Sequence, residues 1–154
     1  MGYMAIARGD FSTAIGDSAI AQKDNSFALG DRAKSLSLNS FSFGKGATAK
    51  GSGSYAFGSQ GINDEAEPTR YTIANGISSF AIGMGAQTNE RLAIAIGTDC
   101  TASGVRSVAL GSGSEATGFG SVALGTGAYA YGSYALATNF YAFAHAPNSL
   151  ALGA

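Results

Sequence analysis

Residues 107–125 read Ser107-Val108-Ala109-Leu110-Gly111, then nine residues, then Ser121-Val122-Ala123-Leu124-Gly125, so the phrase returns every 14 residues. Variants of it are Ser26-Phe27-Ala28-Leu29-Gly30, Ser40-Phe41-Ser42-Phe43-Gly44, Ser54-Tyr55-Ala56-Phe57-Gly58, Ser79-Phe80-Ala81-Ile82-Gly83, Ala93-Ile94-Ala95-Ile96-Gly97 and Ser149-Leu150-Ala151-Leu152-Gly153. Self-similarity at a fixed period indicates a stacked array, not a globule with one central core. The third and fifth residues after each closing Gly are small, as in Ala47 and Ala49, Cys100 and Ala102, and Ala128 and Ala130. Each period therefore holds two alternating segments. Period-two alternation is the strand signal, and the Gly, Asp, Asn and Ser residues between the segments supply turns. The expected fold is all-β, a solenoid of about ten short coils with two strands in each.

The bulky residues of each phrase lie two apart, so they share one side of a strand and the small ones share the other. Stacking the coils puts Phe27, Phe41, Tyr55, Phe80, Ile94, Val108 and Val122 in one column and Leu29, Phe43, Phe57, Ile82, Ile96, Leu110 and Leu124 in the next. These columns are expected inside the roll, where burying each side chain contributes about 1.5 to 3 kcal/mol. The opposite Ser/Ala/Gly face is then expected to meet another copy of the chain, because small side chains let backbones approach closely.

The repeat departs from strict order in three places. Met4-Ala5-Ile6-Ala7 and Thr13-Ala14-Ile15-Gly16 lie nine apart, which reads as a shortened first coil or a cap. After Gly125 the phrase recurs at Ser133-Tyr134-Ala135-Leu136-Ala137, Tyr141-Ala142-Phe143-Ala144 and Ser149-Leu150-Ala151-Leu152-Gly153, which reads as tighter coils. The step from Gly58 to Gly83 is 25 residues, one period plus 11, so an excursion leaves the roll within 59–78. It carries the densest charge in the chain, and long loops on rigid scaffolds often bind. Glu65, Arg70 and Tyr71 are its candidate ligand contacts, against the plainer reading of a tolerated insertion.

With 23 Gly, 12% charged residues and a net charge of −1 in 154 residues, the chain has no basic footprint for nucleic acid and no acidic tail. No run of 18 apolar residues or signal peptide is present, so an exported protein would contain this chain as an excised piece. Cys100 is a lone cysteine in a column of small residues and reads as buried filler. His145, before Ala146-Pro147-Asn148, reads as an exposed turn residue. Gly111-x-Gly113-x-x-Ala116 and its repeats formally match a dinucleotide fingerprint, but they recur with the coil and open no helix. No nucleophile and base pair, paired carboxylates or zinc spacing stands out. No enzyme, no cofactor and no metal is therefore expected.

The Ser-Val-Ala-Leu-Gly phrase in 14-residue repeats, with Ala-x-Ala between, resembles the head domain of YadA-like trimeric autotransporter adhesins over nearly the whole chain. The resemblance implies a left-handed parallel β-roll assembled as a homotrimer. It also implies attachment of Gram-negative bacteria to host extracellular matrix proteins, to cell-surface receptors or to each other, from the extracellular face of the outer membrane. Residues 1–154 would then be a single head domain without the family's neck, stalk or membrane anchor, and with no direct membrane contact. Arg8-Gly9-Asp10 is the triplet many matrix proteins present to integrins, which makes Arg8 and Asp10 further candidate contacts; the plainer reading is a turn with Gly9 at positive φ. A phage tail fibre or spike could use the same repeat. A hexapeptide-repeat acyltransferase is disfavoured by coil length and by the position of His145, and an ice-binding solenoid by the lack of a Thr-x-Thr ladder.

Overall fold

The computed structural model describes residues 2–60 and 70–153. Strands of two and of three residues alternate along the chain, from Ile6–Ala7 and Thr13–Ile15 to Phe143–Ala144 and Leu150–Leu152. The two-residue strands form one sheet of ten and the three-residue strands another. We call these the short-strand and long-strand sheets. Every pairing is parallel and in register, one coil to the next: Val108 pairs with Val122, and Thr101 with Glu115. The chain is thus a parallel β-solenoid of ten coils.

Backbone hydrogen bonds run along the rod in both directions. Strand amides donate to the following coil (Val108 to the Ser121 carbonyl, 2.9 Å), whereas turn amides donate to the preceding one (Gly113 to the Thr98 carbonyl, 2.9 Å). Turns are therefore laddered as firmly as strands. The Gly that closes each phrase makes this possible. Gly111 has φ +131°, and a Cβ there would lie 2.5 Å from the Gly125 carbonyl oxygen.

The sidedness of the strands is the reverse of the sequence expectation. Ala109, Ala123, Ala28 and Ala81 are fully buried, while Val108 and Leu110 are half-buried on the outer surface. Apart from Cys100, every buried apolar side chain among the described residues is alanine. A 14-residue coil with strands this short encloses a channel too narrow for Phe or Leu, so the interior takes methyl-sized side chains and the bulky ones turn outward. Most interior serines and threonines bond one another or their own turns, as buried hydroxyls generally do, whereas the Ser54 and Ser121 hydroxyls are buried without a protein partner. Ser35 and Ser42 lie 2.8 Å apart across the roll, Thr88 donates to Ser79, and Ser107 donates to the Gly104 carbonyl at 2.7 Å.

The outer face of the long-strand sheet consequently carries two bulky columns. Their aromatic members stack down the rod, with Phe41 and Tyr55 centroids 5.0 Å apart and Tyr55 and Phe80 4.8 Å apart. Phe41, Phe43, Tyr55 and Phe57, expected to thicken the core, lie here instead. Small side chains fill the roll, and large ones cover one outer face.

The 14-residue register also holds where the sequence suggested irregularity. Ile6 pairs with Ile20 and Thr13 with Phe27, so the first coil is full length. Near the other end Leu136 pairs with Val122 and with Leu150, and Phe143 with Tyr129, so no coil contracts. The apparent shortening came from aligning Ser133 with Ser107, when Ala135-Leu136-Ala137-Thr138-Asn139 is the phrase. Asn139 replaces the closing Gly at φ 75°.

An oversized interior residue should damage this rod more than a trimmed outer one. Ala109→Leu should lower the thermal midpoint by overpacking, at a cost of about 1 to 3 kcal/mol, whereas Leu110→Ala should leave the far-ultraviolet dichroism of the rod intact. Equal destabilisation by the two substitutions would contradict the interior described here.

Candidate functional site

The excursion leaves the roll at one turn. Gly85 donates to the Ser59 carbonyl and Thr48 pairs with Ile73, so Ser59 and Gln60 still follow the repeat, and it resumes at Thr72. Residues 61–71 are the insertion, narrower than the 59–78 bracket. Glu65 lies outside the described residues. Thr72, in a column otherwise held by Ala, Ser or Cys, closes the neck, its single hydroxyl proton shared between the carbonyls of Ser59 (2.9 Å) and Gly83 (2.7 Å).

The two residues before Thr72 reach in opposite directions along the rod. Arg70 passes over Gly85 of the next coil to the one beyond, donating to the Asp99 carbonyl (2.9 Å) and Thr101 Oγ1 (2.8 Å), with the Asp99 carboxylate 3.9 Å away. Its guanidinium is committed to anchoring the return limb. Tyr71 turns back over Gly46, where its ring lies 2.9 Å from the position a Cβ would occupy. It stays substantially exposed, and it walls a recess of about 430 Å³ on the outer face of the short-strand sheet.

That recess is lined by Arg32, Lys34, Leu36, Gly46, Thr48, Lys50, Tyr71 and Ile73. Three of these are cations and none is a carboxylate. Asp31 sits on the turn beside it, 3.5 Å from Arg32 and 3.9 Å from Lys45. The grouping joins residues up to 41 positions apart in the chain, so it does not show as a cluster in the linear sequence. Counting the outward column of each short strand in register would have found it.

Arg8 and Asp10 lie together at the end of the first short strand, both exposed. The Asp10 amide donates to the Asp24 carboxylate at 2.9 Å. Gly9 is not at positive φ; a Cβ there would lie 2.1 Å from the Lys23 carbonyl carbon of the next coil, so close approach and not a special turn requires glycine.

At the opposite end the short-strand sheet carries an aromatic cluster. Tyr129 stacks on Phe143 with centroids 4.6 Å apart, and His145 lies beside Phe143 and edge-on to Tyr131 at 4.9 Å. His145 is exposed ahead of the 146–148 turn, as expected, and follows directly on the Phe143–Ala144 strand, so its ring extends the outer column of that strand. Burial, assisted by the Glu115 carboxylate, raises the Tyr131 phenol above its ordinary value. Among the described residues no three His, Cys, Asp or Glu side chains converge as a metal site would need.

Cys100 is fully buried in the column of small residues, its thiol 3.4 Å from the Gly97 carbonyl. Burial pushes the thiol up to about 11. Its thiolate is thus scarce near neutrality, where nucleophilic thiols need it.

The family model described as the YadA head domain repeat matches residues 1–19, 7–33, 91–114 and 116–138, just over half of the chain. The chain belongs to the YadA head-repeat family. The solved collagen-binding domain of the Yersinia adhesin YadA matches all of this chain and 73% of its own, at 24% identity and a TM-score of 0.50. At that identity the likeness supports the fold. No curated protein sequence matches the chain. The YadA head repeat is an adhesin module and not an enzyme family.

Two outcomes follow for this YadA-type rod. A thiol reagent at pH 8 should leave Cys100 unmodified until the rod is unfolded, and labelling of the native protein at the rate of a free thiol would contradict its burial. Because the folded rod keeps a proton that the unfolded thiol releases, stability should fall as pH rises from the ordinary thiol value of 9.0 towards about 11. Cys100→Ala should make that fall shallower in denaturant titrations, the raised Tyr131 phenol contributing the remainder at the alkaline end.

Proposed function

We propose that this chain is the adhesive head segment of a trimeric autotransporter. It is displayed on the extracellular face of a Gram-negative outer membrane, where it binds host extracellular matrix proteins or cell-surface receptors or mediates autoagglutination. Membership of the YadA head-repeat family carries the reading, supported by the collagen-binding adhesin domain of the same fold.

The assembly follows from the outer face of the long-strand sheet. Ten coils at about 4.8 Å per step make an apolar strip roughly 45 Å long. Its columns include Phe43, 49% exposed, and Ile96, 40% exposed. Contiguous patches beyond a few hundred Å² are rare on monomers and mark interfaces. A closed ring in which each copy turns this strip towards a common axis removes it from water, and three copies suit the family. The interface is thus made by the bulky columns, not by the small residues to which the sequence reading assigned it. Candidate ligand contacts are Tyr71 at the excursion, Glu65 within it, and Arg8 with Asp10 at the first coil, while Arg70 is engaged by Asp99 and Thr101 and holds Tyr71 in place.

The purified rod should have a solution mass of three chains, and Val108→Glu with Leu110→Glu should reduce it to one. A single-chain mass for the unaltered rod would end the trimeric reading. The rod should also retain collagen or other matrix proteins on a binding panel. Deletion of 61–71 or Asp10→Ala tests whether that activity is local, and failure to bind any matrix protein or cell would remove the adhesive assignment.

A further inference from the structure

We propose that the recess bounded by Arg32, Lys34, Lys50 and Tyr71 binds a linear polyanion, a sulfated or carboxylated polysaccharide chain. The placement favours it first. The recess opens on the short-strand sheet, whereas the apolar strip lies on the other sheet, so self-association leaves it in solvent. Its volume, about 430 Å³, lies in the range of small-ligand sites. Shape and charge coincide there.

The register sets the spacing of the cations. Lys34 pairs with Thr48, so Lys50 stands on the adjoining strand one outward position further along. Strand spacing and residue rise put their Cα atoms about 8 Å apart. Arg32 extends the line onto the turn that precedes Lys34. Among the described residues neither Lys34 nor Lys50 has a carboxylate partner, while Arg32 shares Asp31 with Lys45. The floor is Thr48 and Ile73, and Tyr71 offers a ring and hydroxyl at the wall.

Width selects the kind of anion. Carboxylates stand on both turn edges of these coils, Asp31 on one and Asp24 on the other. The positive strip is therefore narrow. It suits a single flexible chain with regularly spaced anionic groups; on the flanks each carboxylate stands beside a lysine, Lys45 near Asp31 and Lys23 beside Asp24, so a duplex reaching past both edges gains little further positive charge. Individual solvent-exposed ion pairs are weak and salt-sensitive. Repetition of the recess on several copies multiplies them by effective concentration. Only that multiplication, and the biological use, rests on the adhesive trimer; the recess itself belongs to one chain.

The test is heparin binding by the purified full-length chain at low and physiological salt, alongside desulfated heparin, which keeps the carboxylates, and a DNA duplex. Heparin should bind with affinity that falls steeply as salt rises, and duplex DNA at least tenfold more weakly. Lys34→Gln with Lys50→Gln should weaken heparin at least tenfold, and Tyr71→Ala several-fold. Lys23→Gln, an exposed charge on the turn edge outside the recess, should change it less than twofold. The solution mass of each variant is measured in parallel, so loss of the assembly is distinguished from loss of the site. Retained desulfated-heparin binding assigns the recess to carboxylates, and its loss to sulfates. No heparin binding at low salt, equal binding of duplex DNA, or equal loss with Lys23→Gln overturns the proposal.

Discussion

The narrowness of the coil governs this molecule. Fourteen residues spent on two strands of two and three residues and two tight turns leave a channel that accepts a methyl or a hydroxyl and little more. Ala109 and Ser107 fit it; Val108 and Leu110 do not. The rest follows from that limit. Interior burial per residue is small, so the continuous hydrogen-bond ladder through strands and turns alike carries much of the order, each bond contributing a net of about 0.5 to 1.5 kcal/mol.

The same limit divides the labour between the two sheets. Bulky side chains expelled from the interior gather on the long-strand sheet and give it an apolar outer face. The short-strand sheet has a freer outer face, and its columns change character along the rod. Cations with Tyr71 occupy the third to fifth coils, polar residues such as Asn75 and Asn89 the middle, and the Tyr129, Tyr131, Phe143 and His145 cluster the far end. A solenoid can alter such chemistry coil by coil, because each outward side chain touches only its neighbours and leaves the ladder untouched.

The excursion shows how an insertion is tolerated without breaking the array. It enters at a turn, Thr72 closes its neck against two carbonyls, and Arg70 anchors its return limb two coils further on. The register of the flanking strands is preserved on both sides. Arg70 thus serves the scaffold, while Tyr71, its neighbour, shapes the surface.

The period, the two strands per coil, the turns and the position of the insertion were all legible in the sequence, because a fixed repeat of glycines and alternating side chains imposes them locally. The family was legible for the same reason. Which side of each strand faces inward was not: alternation separates the two faces but cannot say which is enclosed, and that depends on the width of a channel that exists only once both sheets are built. The regular register of the first and last coils was hidden as well, since Asn139 can replace a glycine and Ile6 can open a strand without the full phrase. The recess was out of reach for a related reason, because Arg32, Lys50 and Tyr71 become neighbours only when successive coils stack.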